Sequence, residues 1–450
     1  MATVVLPTSL AARIDHHGPI TAAGPTAGEV VGAIEREHPE LQGWILDETG
    51  NLRQHVSIFV NEERADLDRP VSDKDEIFVI QAISGGSGPV AGKEEGELLV
   101  GTKKGLIVLA GPRGGPMSLA HRAFAGQVVE YSCYDSRSGT YYASVTHGQF
   151  GPHLYFTNDP TGEWEEAKGP AFPGDAEAAV DRIWVIEPAA DDGALWAGVA
   201  PAALFRSEDA GRTWELNRAL WNDPSRPQWE PGFGGLCLHS IAPWPGEPDR
   251  LAVGISAAGV WLTEDRGETW RRGVEGLVPG YLPEEARKDT FMHCIHKIQR
   301  PPLEPTTLYM QFHSGVYRSD DGGEIWNDIG SEGGLPSDFG FPLAIDPADP
   351  DRAFVIPLAS SEDRVTPEGK VCVYETRDRG KRWQALSRGL PQQDAYLTVL
   401  RQAFCQDGRD PLGLYFGCRS GEVFGSADGG ESWGVIADRL PPVLSVQASK

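Results

Sequence analysis

The eight residues Thr263-Glu264-Asp265-Arg266-Gly267-Glu268-Thr269-Trp270 decide the fold of most of this chain, because versions of them recur at regular spacing. Four further copies occupy residues 207–214, 319–326, 376–383 and 426–433, and a worn copy occupies residues 157–164. The aspartates of the copies lie 50 to 57 residues apart and are Asp159, Asp209, Asp265, Asp321, Asp378 and Asp428. Short apolar stretches precede each copy, so the spacing predicts a repeated unit of short strands.

The repeated segment resembles the Asp-box, or BNR repeat, of sialidase-like β-propellers, whose pattern is Ser/Thr-x-Asp-x-Gly-x-Thr-Trp. The resemblance implies a hairpin turn between the third and outer strands of each blade. In such a turn the carboxylate accepts amide hydrogen bonds, the glycine has a positive φ and the tryptophan packs between blades. We therefore expect the six aspartates to be structural rather than catalytic.

Two further features indicate how the propeller closes. A strand pair at 98–102 and 105–109 precedes the worn copy, and a single strand at 443–447 follows the last copy. Pairing of the last strand with the first pair would complete a seventh blade and leave no sheet edge exposed. The sequence thus predicts a seven-bladed β-propeller with Asp-box hairpins over residues 97–450.

Residues 1–86 have the pattern of a complete small domain. The segment Thr26-Ala27-Gly28-Glu29 is a capping box that starts a helix with Val30, Val31 and Ile34 on one face. Strands are expected at 4–10, 56–60 and 77–80. The stretches 52–61 and 71–86 are similar to the ubiquitin-like sulfur carriers of the ThiS/MoaD type. The resemblance implies an α+β fold, the β-grasp, that ends in the tail Gly85-Gly86.

The resemblance also implies a chemistry for the tail. Residues without side chains let the backbone enter a narrow enzyme channel, where a separate E1-like adenylating enzyme would use ATP to activate the carboxylate of Gly86. A thiocarboxylate or a conjugate to an amine would follow. In this chain Gly86 is instead joined to Ser87, and a glycine-rich linker is expected at 87–96.

Two interpretations of the tail stay open at this point. In one, a processing metalloprotease of the deubiquitinase-like kind cuts the Gly86-Ser87 bond, and the freed carrier serves a sulfur-acceptor enzyme. In the other, the bond stays intact and the β-grasp unit is an inert docking module.

Composition restricts the class of partner. The net charge of the chain is −25, and residues 1–86 hold 6 Lys or Arg against 14 Asp or Glu. Such acidity argues against nucleic acid and anionic membranes as partners, because phosphate contacts need clustered basic residues. No segment has the length and apolarity of a membrane span, and the six cysteines show no CxxC or zinc spacing. We expect a cytoplasmic protein with reduced thiols.

Ligands of the propeller are expected at the channel mouth where the inner strands begin. Aligning these strands predicts a polar column formed by Glu130, Trp184, His239, His296, Pro342 and Arg401, and nearby turns and strand starts add His147, His293 and His313. Three insertions, at 215–235, 271–290 and 360–369, are expected to roof this mouth with Trp221, Trp229 and Tyr281.

Two chemistries suit these residues. Glu130, His239 and His296 are the candidate ligands of a divalent metal, or they serve acid-base chemistry beside Arg401 as an anion clamp. The alternative is that they are hydrogen-bonded residues that fill the channel.

The leading hypothesis is a sulfur-carrier or ubiquitin-like domain fused to a propeller that acts as a binding platform. The alternative is that the propeller is a hydrolase, glycosidase-like or metal-dependent, and that the β-grasp unit is only an interaction module. The sialidase resemblance does not extend beyond the boxes, because the chain has no Arg-Ile-Pro motif.

Overall fold

A computed structural model divides the chain into two compact units, Met1–Ala91 and Gly92–Lys450. It describes residues 1–450 except 7–9, 11, 15–17, 48–49, 54–55, 62, 82–94, 191, 289 and 450. The predicted tail Gly85-Gly86, the bond Gly86-Ser87 and most of the predicted linker fall outside the described residues. Among the described helices, none is long and apolar enough to cross a bilayer.

The first unit is a five-stranded mixed sheet packed on one helix. Its strands are β1 (Ala2–Val5), β2 (Ile20–Ala22), β3 (Val56–Val60), β4 (Glu63–Ala65) and β5 (Glu76–Gln81), in the order β2-β1-β5-β3-β4. The central strand β5 runs parallel to β1 and antiparallel to β3. This is the predicted β-grasp arrangement, and it places the strand that leads toward the glycine pair in the middle of the sheet.

The helix α1 (Ala27–Glu37) begins where the sequence predicts. The hydroxyl of Thr26 accepts a hydrogen bond from the backbone N–H of Glu29 at 3.3 Å, which caps the helix. Val30, Val31 and Ile34 are fully buried, as their spacing on one face requires. Short 3-10 turns occupy Ala12–Ile14 and Pro39–Leu41.

In the described residues, the second unit has five four-stranded antiparallel sheets and one eight-stranded sheet. Its strands are β6 (Glu95–Thr102), β7 (Gly105–Pro112), β8 (Ser118–Ala123), β9 (Val128–Asp135), β10 (Thr140–His147), β11 (Gly151–Thr157), β12 (Glu165–Ala167), β13 (Arg182–Pro188), β14 (Leu195–Ala200), β15 (Ala203–Ser207), β16 (Glu215–Leu216), β17 (Cys237–Trp244), β18 (Glu247–Ser256), β19 (Gly259–Thr263), β20 (Arg271–Arg272), β21 (Ile295–Gln299), β22 (Leu308–Phe312), β23 (Gly315–Ser319), β24 (Asn327–Asp328), β25 (Gly340–Asp346), β26 (Asp349–Pro357), β27 (Val373–Thr376), β28 (Gln384–Leu386), β29 (Val399–Gln406), β30 (Leu414–Cys418), β31 (Val423–Ser426), β32 (Gly434–Ala437) and β33 (Val443–Ala448).

The sheets close into a β-propeller through their first strands. Five sheets follow chain order from β9 to β28, and an eight-stranded sheet has the order β32-β31-β30-β29-β33-β6-β7-β8. The strands β9, β13, β17, β21, β25, β29 and β33 pack one on the next, and β33 returns to β9. The last strand β33 pairs antiparallel with β6, as the sequence predicts.

The connections carry little further regular structure. They include one helical turn, α2 (Arg218–Trp221), and 3-10 turns at Gly174–Ala176, Arg226–Gln228, Glu284–Ala286 and Pro367–Gly369. Buried aromatic side chains such as Trp196, Tyr142 and Phe354 fill the space between sheets.

Candidate functional site

The predicted polar column coincides with a β-bulge that recurs in the inner strands. The pairing register skips Glu130 in β9, Trp184 in β13, His239 in β17 and His296 in β21. A bulge adds one unpaired residue to a strand and turns its side chain away from the regular alternation. In these four inner strands the fold therefore places one bulged, unpaired residue near the start of the strand.

The other two predicted column positions, Pro342 and Arg401, lie in longer interruptions of the strand pairing. In β25 the register shift spans Phe341 and Pro342, and the ring of Phe341 packs against His296 at 4.7 Å between centroids. Phe341, not the predicted Pro342, thus lines the mouth. In β29 the pairing with β30 is interrupted between Val399 and Phe404, and Arg401 lies in this interruption.

A cavity of about 180 Å³ lies at this mouth. Its lining residues are Phe233, Gly234, His296, His313, Phe341, Arg364, Thr398, Leu400, Arg401 and Arg419. The predicted insertions at 215–235 and 360–369 contribute Phe233, Gly234 and Arg364 to this lining. The side chain of Phe233 is 96% exposed at the tip of its loop, so an aromatic face stands at the entrance.

Three guanidinium groups give the cavity a positive character inside a strongly acidic chain. Among the described residues, no carboxylate oxygen lies within 4 Å of Arg364, Arg401 or Arg419. Arg401 packs over the rings of Phe341 and Trp184, at 5.0 and 5.7 Å from the centroids. Unpaired arginines that converge on a cavity favour an anionic ligand.

Two buried polar atoms beside the cavity lack a hydrogen-bond partner in the part of the chain that the structure describes. They are Nε of Arg401 and Nε1 of Trp184. Buried donors are normally satisfied, so an unsatisfied one calls for an explanation such as a bound water or ion. Both atoms are donors, which again suits an acceptor-rich ligand.

Two histidines and one cysteine come together on one side of the mouth. The donor atoms of Cys294, His296 and His313 all lie within 4.8 Å of one another, and no other group of three or more His, Cys, Asp or Glu in the described ranges meets this distance. The pairing of Ile295 with Phe312 sets Cys294 opposite His313, whose backbone N–H donates to the Cys294 carbonyl at 3.1 Å.

The structure does not group the predicted metal ligands Glu130, His239 and His296. His239 donates from Nε2 to the carbonyl of Ile295 at 2.9 Å, and its Nδ1 contacts the Ser240 hydroxyl at 3.0 Å. Both ring nitrogens are therefore engaged within the protein. Glu130 forms an ion pair with Arg182 at 3.1 Å. These two residues follow the channel-filling alternative.

Two further predicted histidines lie apart from the cavity lining. Nε2 of His147 contacts the Tyr155 hydroxyl at 3.3 Å, and the ring packs edge-on against His153. His293 is buried, with Nδ1 at 3.2 Å from Nη2 of Arg272.

One of the three predicted roof residues contacts a lining residue of the mouth cavity. The ring of Tyr281 lies 4.6 Å from that of His313 between centroids. Trp221 packs against Phe172, and Trp229 packs against Trp261.

The electrostatics of the mouth keep its imidazoles neutral. Burial, followed by the charges of Arg364 and Arg401, lowers the pKa of His313 to about 4. Burial and then Arg401 hold the pKa of His239 and His296 well below the usual value. Burial likewise lowers the pKa of His293 to about 4, with Arg272 adding to it, and raises the pKa of the Glu130 carboxyl against the opposing charge of Arg182. Neutral imidazoles retain the lone pair that accepts a proton or binds a metal.

A second cavity, of about 570 Å³, shares no lining residue with the first. It lies where the inner strands end, and Asp135, Arg137, Glu187, Lys297 and Arg300 belong to its lining. Burial raises the pKa of Glu187 to about 7 and lowers the pKa of Lys297 to about 8.

The repeated turns share one hydrogen-bond pattern. In the copy at 263–270, Oδ1 of Asp265 accepts from the backbone N–H of Thr269 at 2.9 Å and from the Thr263 hydroxyl at 2.8 Å, and Gly267 has a φ of 89°. Asp209, Asp321, Asp378 and Asp428 accept in the same way from the residue four positions on. In the worn copy Asp159 accepts instead from Thr161, two positions on.

The sequence did not single out Cys294, Arg364 or Arg419. A usable signal existed for the first, because Cys294 lies only two residues from the predicted column residue His296. The two arginines come from a long insertion and from the turn after β30, where no periodicity fixes direction.

Comparisons with known proteins find separate relatives for the N-terminal part of the chain and for the remainder. The ThiS family model matches residues 18–86. The sulfur carrier protein CysO of Mycobacterium tuberculosis is 28% identical over 90 residues, which are 19% of this chain and 97% of that protein. The N-terminal domain is therefore a ThiS-family, CysO-like domain.

Solved structures similar to the remainder include an ancestral GH74 enzyme, 15% identical with a TM-score of 0.46, which covers 78% of this chain. This chain spans only 40% of the length of that enzyme. YCF48 bound to D1 peptide is 14% identical with a TM-score of 0.46, over 78% of this chain and 87% of that one. The sheet order and ring closure of the second unit are those of a β-propeller, so the protein joins a CysO-like domain to a β-propeller.

Proposed function

We propose that this protein is a precursor of a sulfur carrier, in which cleavage after Gly86 frees the carboxylate that is activated. The single observation that supports this most is the end of the family match at Gly86. The central strand β5 ends only five residues earlier, at Gln81. A match that ends on the second glycine gives the pair the place of a carrier's terminal tail, although the chain continues beyond it.

The proposed chemistry has three steps. Hydrolysis of the Gly86-Ser87 bond consumes water and yields the Gly86 carboxylate and the Ser87 amine. An E1-like enzyme then transfers AMP from ATP to the carboxylate and releases pyrophosphate. A sulfide donor displaces AMP and leaves a thiocarboxylate, the form that a sulfur-acceptor enzyme would use.

Intact-mass measurement on the protein made in its own cytoplasm tests this proposal. The expected result is a fragment of residues 1–86, part of it heavier by the difference between sulfur and oxygen. Gly86→Val should abolish the fragment, and Gly92→Ala, a matched change in the same stretch, should not. Only full-length chain after exposure to the host's activating enzyme and proteases would contradict the proposal.

For the propeller we propose a binding platform with repeated turns of the Asp-box kind and an anion site at its mouth. The support is the group Arg364, Arg401 and Arg419, which line one cavity without a carboxylate partner among the described residues. No Asp or Glu is among the described lining residues, so this cavity offers no carboxylate pair for a retaining glycosidase. At this mouth the platform therefore has more support than a glycosidase site.

A pair of probes that differ only in charge tests the anion site. Acetyl-diglycine has a free carboxylate, and acetyl-diglycinamide does not. Calorimetric titration of the full chain should detect binding of the first, weakened by Arg401→Gln and unchanged by Arg122→Gln on an exposed strand. The proposed anion site would be contradicted if the two probes bound equally well, or if Arg401→Gln left the binding of acetyl-diglycine unchanged.

A further inference from the structure

One hairpin of the propeller presents a thiol and two imidazoles to the same point. Cys294 directly precedes β21 and His296 is the second residue of that strand, and His313 lies at the turn after β22, directly across from Cys294. Their three donor atoms lie within 4.8 Å of one another. Donors around a tetrahedral zinc stand about 3.3–3.7 Å apart, given bonds of about 2.0–2.3 Å. Side-chain rotations that move the donor atoms by about 1 Å would bring them to the separation found around zinc.

The ring of His296 is already oriented as a ligand. Its Nδ1–H donates to the carbonyl of Gly340 at 2.6 Å, because a carbonyl can only accept. In the neutral ring this leaves the lone pair on Nε2. Fixing one ring nitrogen of a histidine through a backbone carbonyl is the usual way in which proteins orient a metal ligand. Among the described residues, Nε2 has no hydrogen-bond partner.

The other two donors are similarly uncommitted. The ring of His313 is held edge-on by Tyr281 and Phe339, at 4.6 and 5.2 Å, and neither of its nitrogens has a hydrogen-bond partner within the described ranges. In the part of the chain that the structure describes, Sγ of Cys294 has one hydrogen-bond contact, with the Ser256 hydroxyl at 3.2 Å. Tyr281 also accepts a hydrogen bond from the backbone N–H of Cys294 at 2.9 Å, so one tyrosine fixes two of the three donors.

The cluster borders the mouth cavity rather than the closed interior. His296 and His313 line the same cavity as Arg364 and Arg401. A metal held by three side chains here would keep one coordination position open toward guanidinium groups. Three protein ligands with an open fourth position distinguish catalytic and substrate-binding zinc sites from closed structural ones.

We propose that Cys294, His296 and His313 bind a divalent transition metal of the zinc class, with a fourth position open to an anionic ligand in the mouth cavity. One thiolate and two imidazoles suit Zn²⁺, whereas Mg²⁺ and Ca²⁺ prefer oxygen donors. On binding, the Cys294 S–H bond is replaced by a metal–sulfur bond, and the proton is released to solvent without electron transfer. This site does not depend on cleavage at Gly86.

Metal titration of the full-length protein tests the proposal. Protein freed of metal by a chelator is titrated with Zn²⁺ against a chromophoric competitor, and separately with Co²⁺. The expected result is one zinc per chain, together with the thiolate-to-cobalt charge-transfer absorption that only a cysteine ligand produces. Absence of stoichiometric zinc binding by the unaltered chain would overturn the proposal.

Variants separate a true site from adventitious binding. Cys294→Ser should remove the charge-transfer band, and His313→Ala should weaken zinc binding by about 100-fold or more. His313 is half-buried on a turn, so its variant keeps the test valid if Cys294→Ser fails to fold. Cys372→Ser and His147→Ala are the matched controls and should leave affinity and absorption unchanged. One zinc per chain with unaltered affinity in His313→Ala would refute the site.

Discussion

The side-chain amide of Gln402 donates a hydrogen bond to the backbone carbonyl of His239 at 2.8 Å. The same side chain accepts from Nζ of Lys297, which is buried. Gln402 belongs to β29 and His239 to β17, two inner strands that do not follow one another around the ring. This link joins the sheets across the channel, between the mouth cavity and the larger cavity at the other end.

Gln402→Leu should therefore destabilise the propeller. It leaves a buried ammonium group without its acceptor and a buried carbonyl without its donor, which together cost about 2–4 kcal/mol. Chemical unfolding followed by tryptophan fluorescence measures the change. Gln406→Leu, on the same strand, is the control, because Oε1 of Gln406 has no partner among the described residues. Equal effects of the two substitutions would show that the link contributes no stability.

The carboxyl group of Glu187 should make stability depend on pH. Burial raises its pKa from 4.5 to about 7, against the attraction of Lys297 and Arg137, while Asp135 acts in the same direction as burial. The folded state therefore holds the proton more tightly than the unfolded state. This contribution is complete below pH 4.5 and is lost as pH rises through 7, by at most about 1.4 kcal/mol per pH unit.

The free energy of unfolding at pH 5 and pH 7.5 checks this expectation. In Glu187→Gln the decline between these two values should be smaller than in the unaltered chain. Glu247→Gln, at an exposed position, should retain the full decline. An unchanged slope in Glu187→Gln would show that another group causes it.

The guanidinium of Arg352 connects two neighbouring sheets. It pairs with Glu375 at 2.6 Å and Asp346 at 2.9 Å, and it donates to the carbonyl of Gly429 at 2.9 Å. Among the described residues, Arg352→Met would leave the buried Asp346 without an ion-pair partner and Glu375 with only the exposed Arg377. We expect a loss of about 3–5 kcal/mol. Arg377→Met removes an exposed partner of the same Glu375 and should cost less than about 1 kcal/mol. Thermal unfolding of both variants distinguishes these outcomes.

Asp265 should stabilise its turn without taking part in ligand binding. Hydrogen bonds from Thr269, the side chain first and then the backbone, hold the pKa of this carboxyl below its ordinary value. Its contribution is therefore present at neutral pH and is lost as pH falls through the lowered folded pKa. We expect Asp265→Ala to lose about 1 kcal/mol at pH 7, with Glu268→Ala in the same turn as the control. A loss of acetyl-diglycine binding in Asp265→Ala without loss of stability would contradict a structural role.

The sequence predicts most of the fold because its signals are local. The helix cap by Thr26 and the turn at Asp265 require particular residue types at fixed spacings, and both form as expected. The column of bulged residues follows from the repeat, since aligned strands share their irregularities. Phe341 replaces Pro342 in that column because the bulge in β25 spans two residues instead of one.

The composition of the site was harder to infer because it depends on long-range contacts. Nε2 of His239 donates a hydrogen bond to the carbonyl of Ile295, and the spacing of residues along the sequence does not reveal this bond. Arg364 reaches the mouth from an insertion without repeat counterparts. Cys294 joins His296 and His313 across a hairpin, whereas recognisable zinc motifs have short fixed spacings along the chain.

The pairing of β33 with β6 also orders events in time. Ribosomal synthesis delivers β6 early and β33 only after every other strand of the ring, so the propeller cannot close until residue 448 has been made. The CysO-like domain emerges first and, as domains generally do, can fold as it leaves the ribosome. A nascent chain stalled before Val443 should therefore display a folded carrier domain and an open sheet edge. If the proposed cleavage at Gly86 occurs, the enzyme responsible would meet the domain during this interval, while the ring behind it is still unfinished.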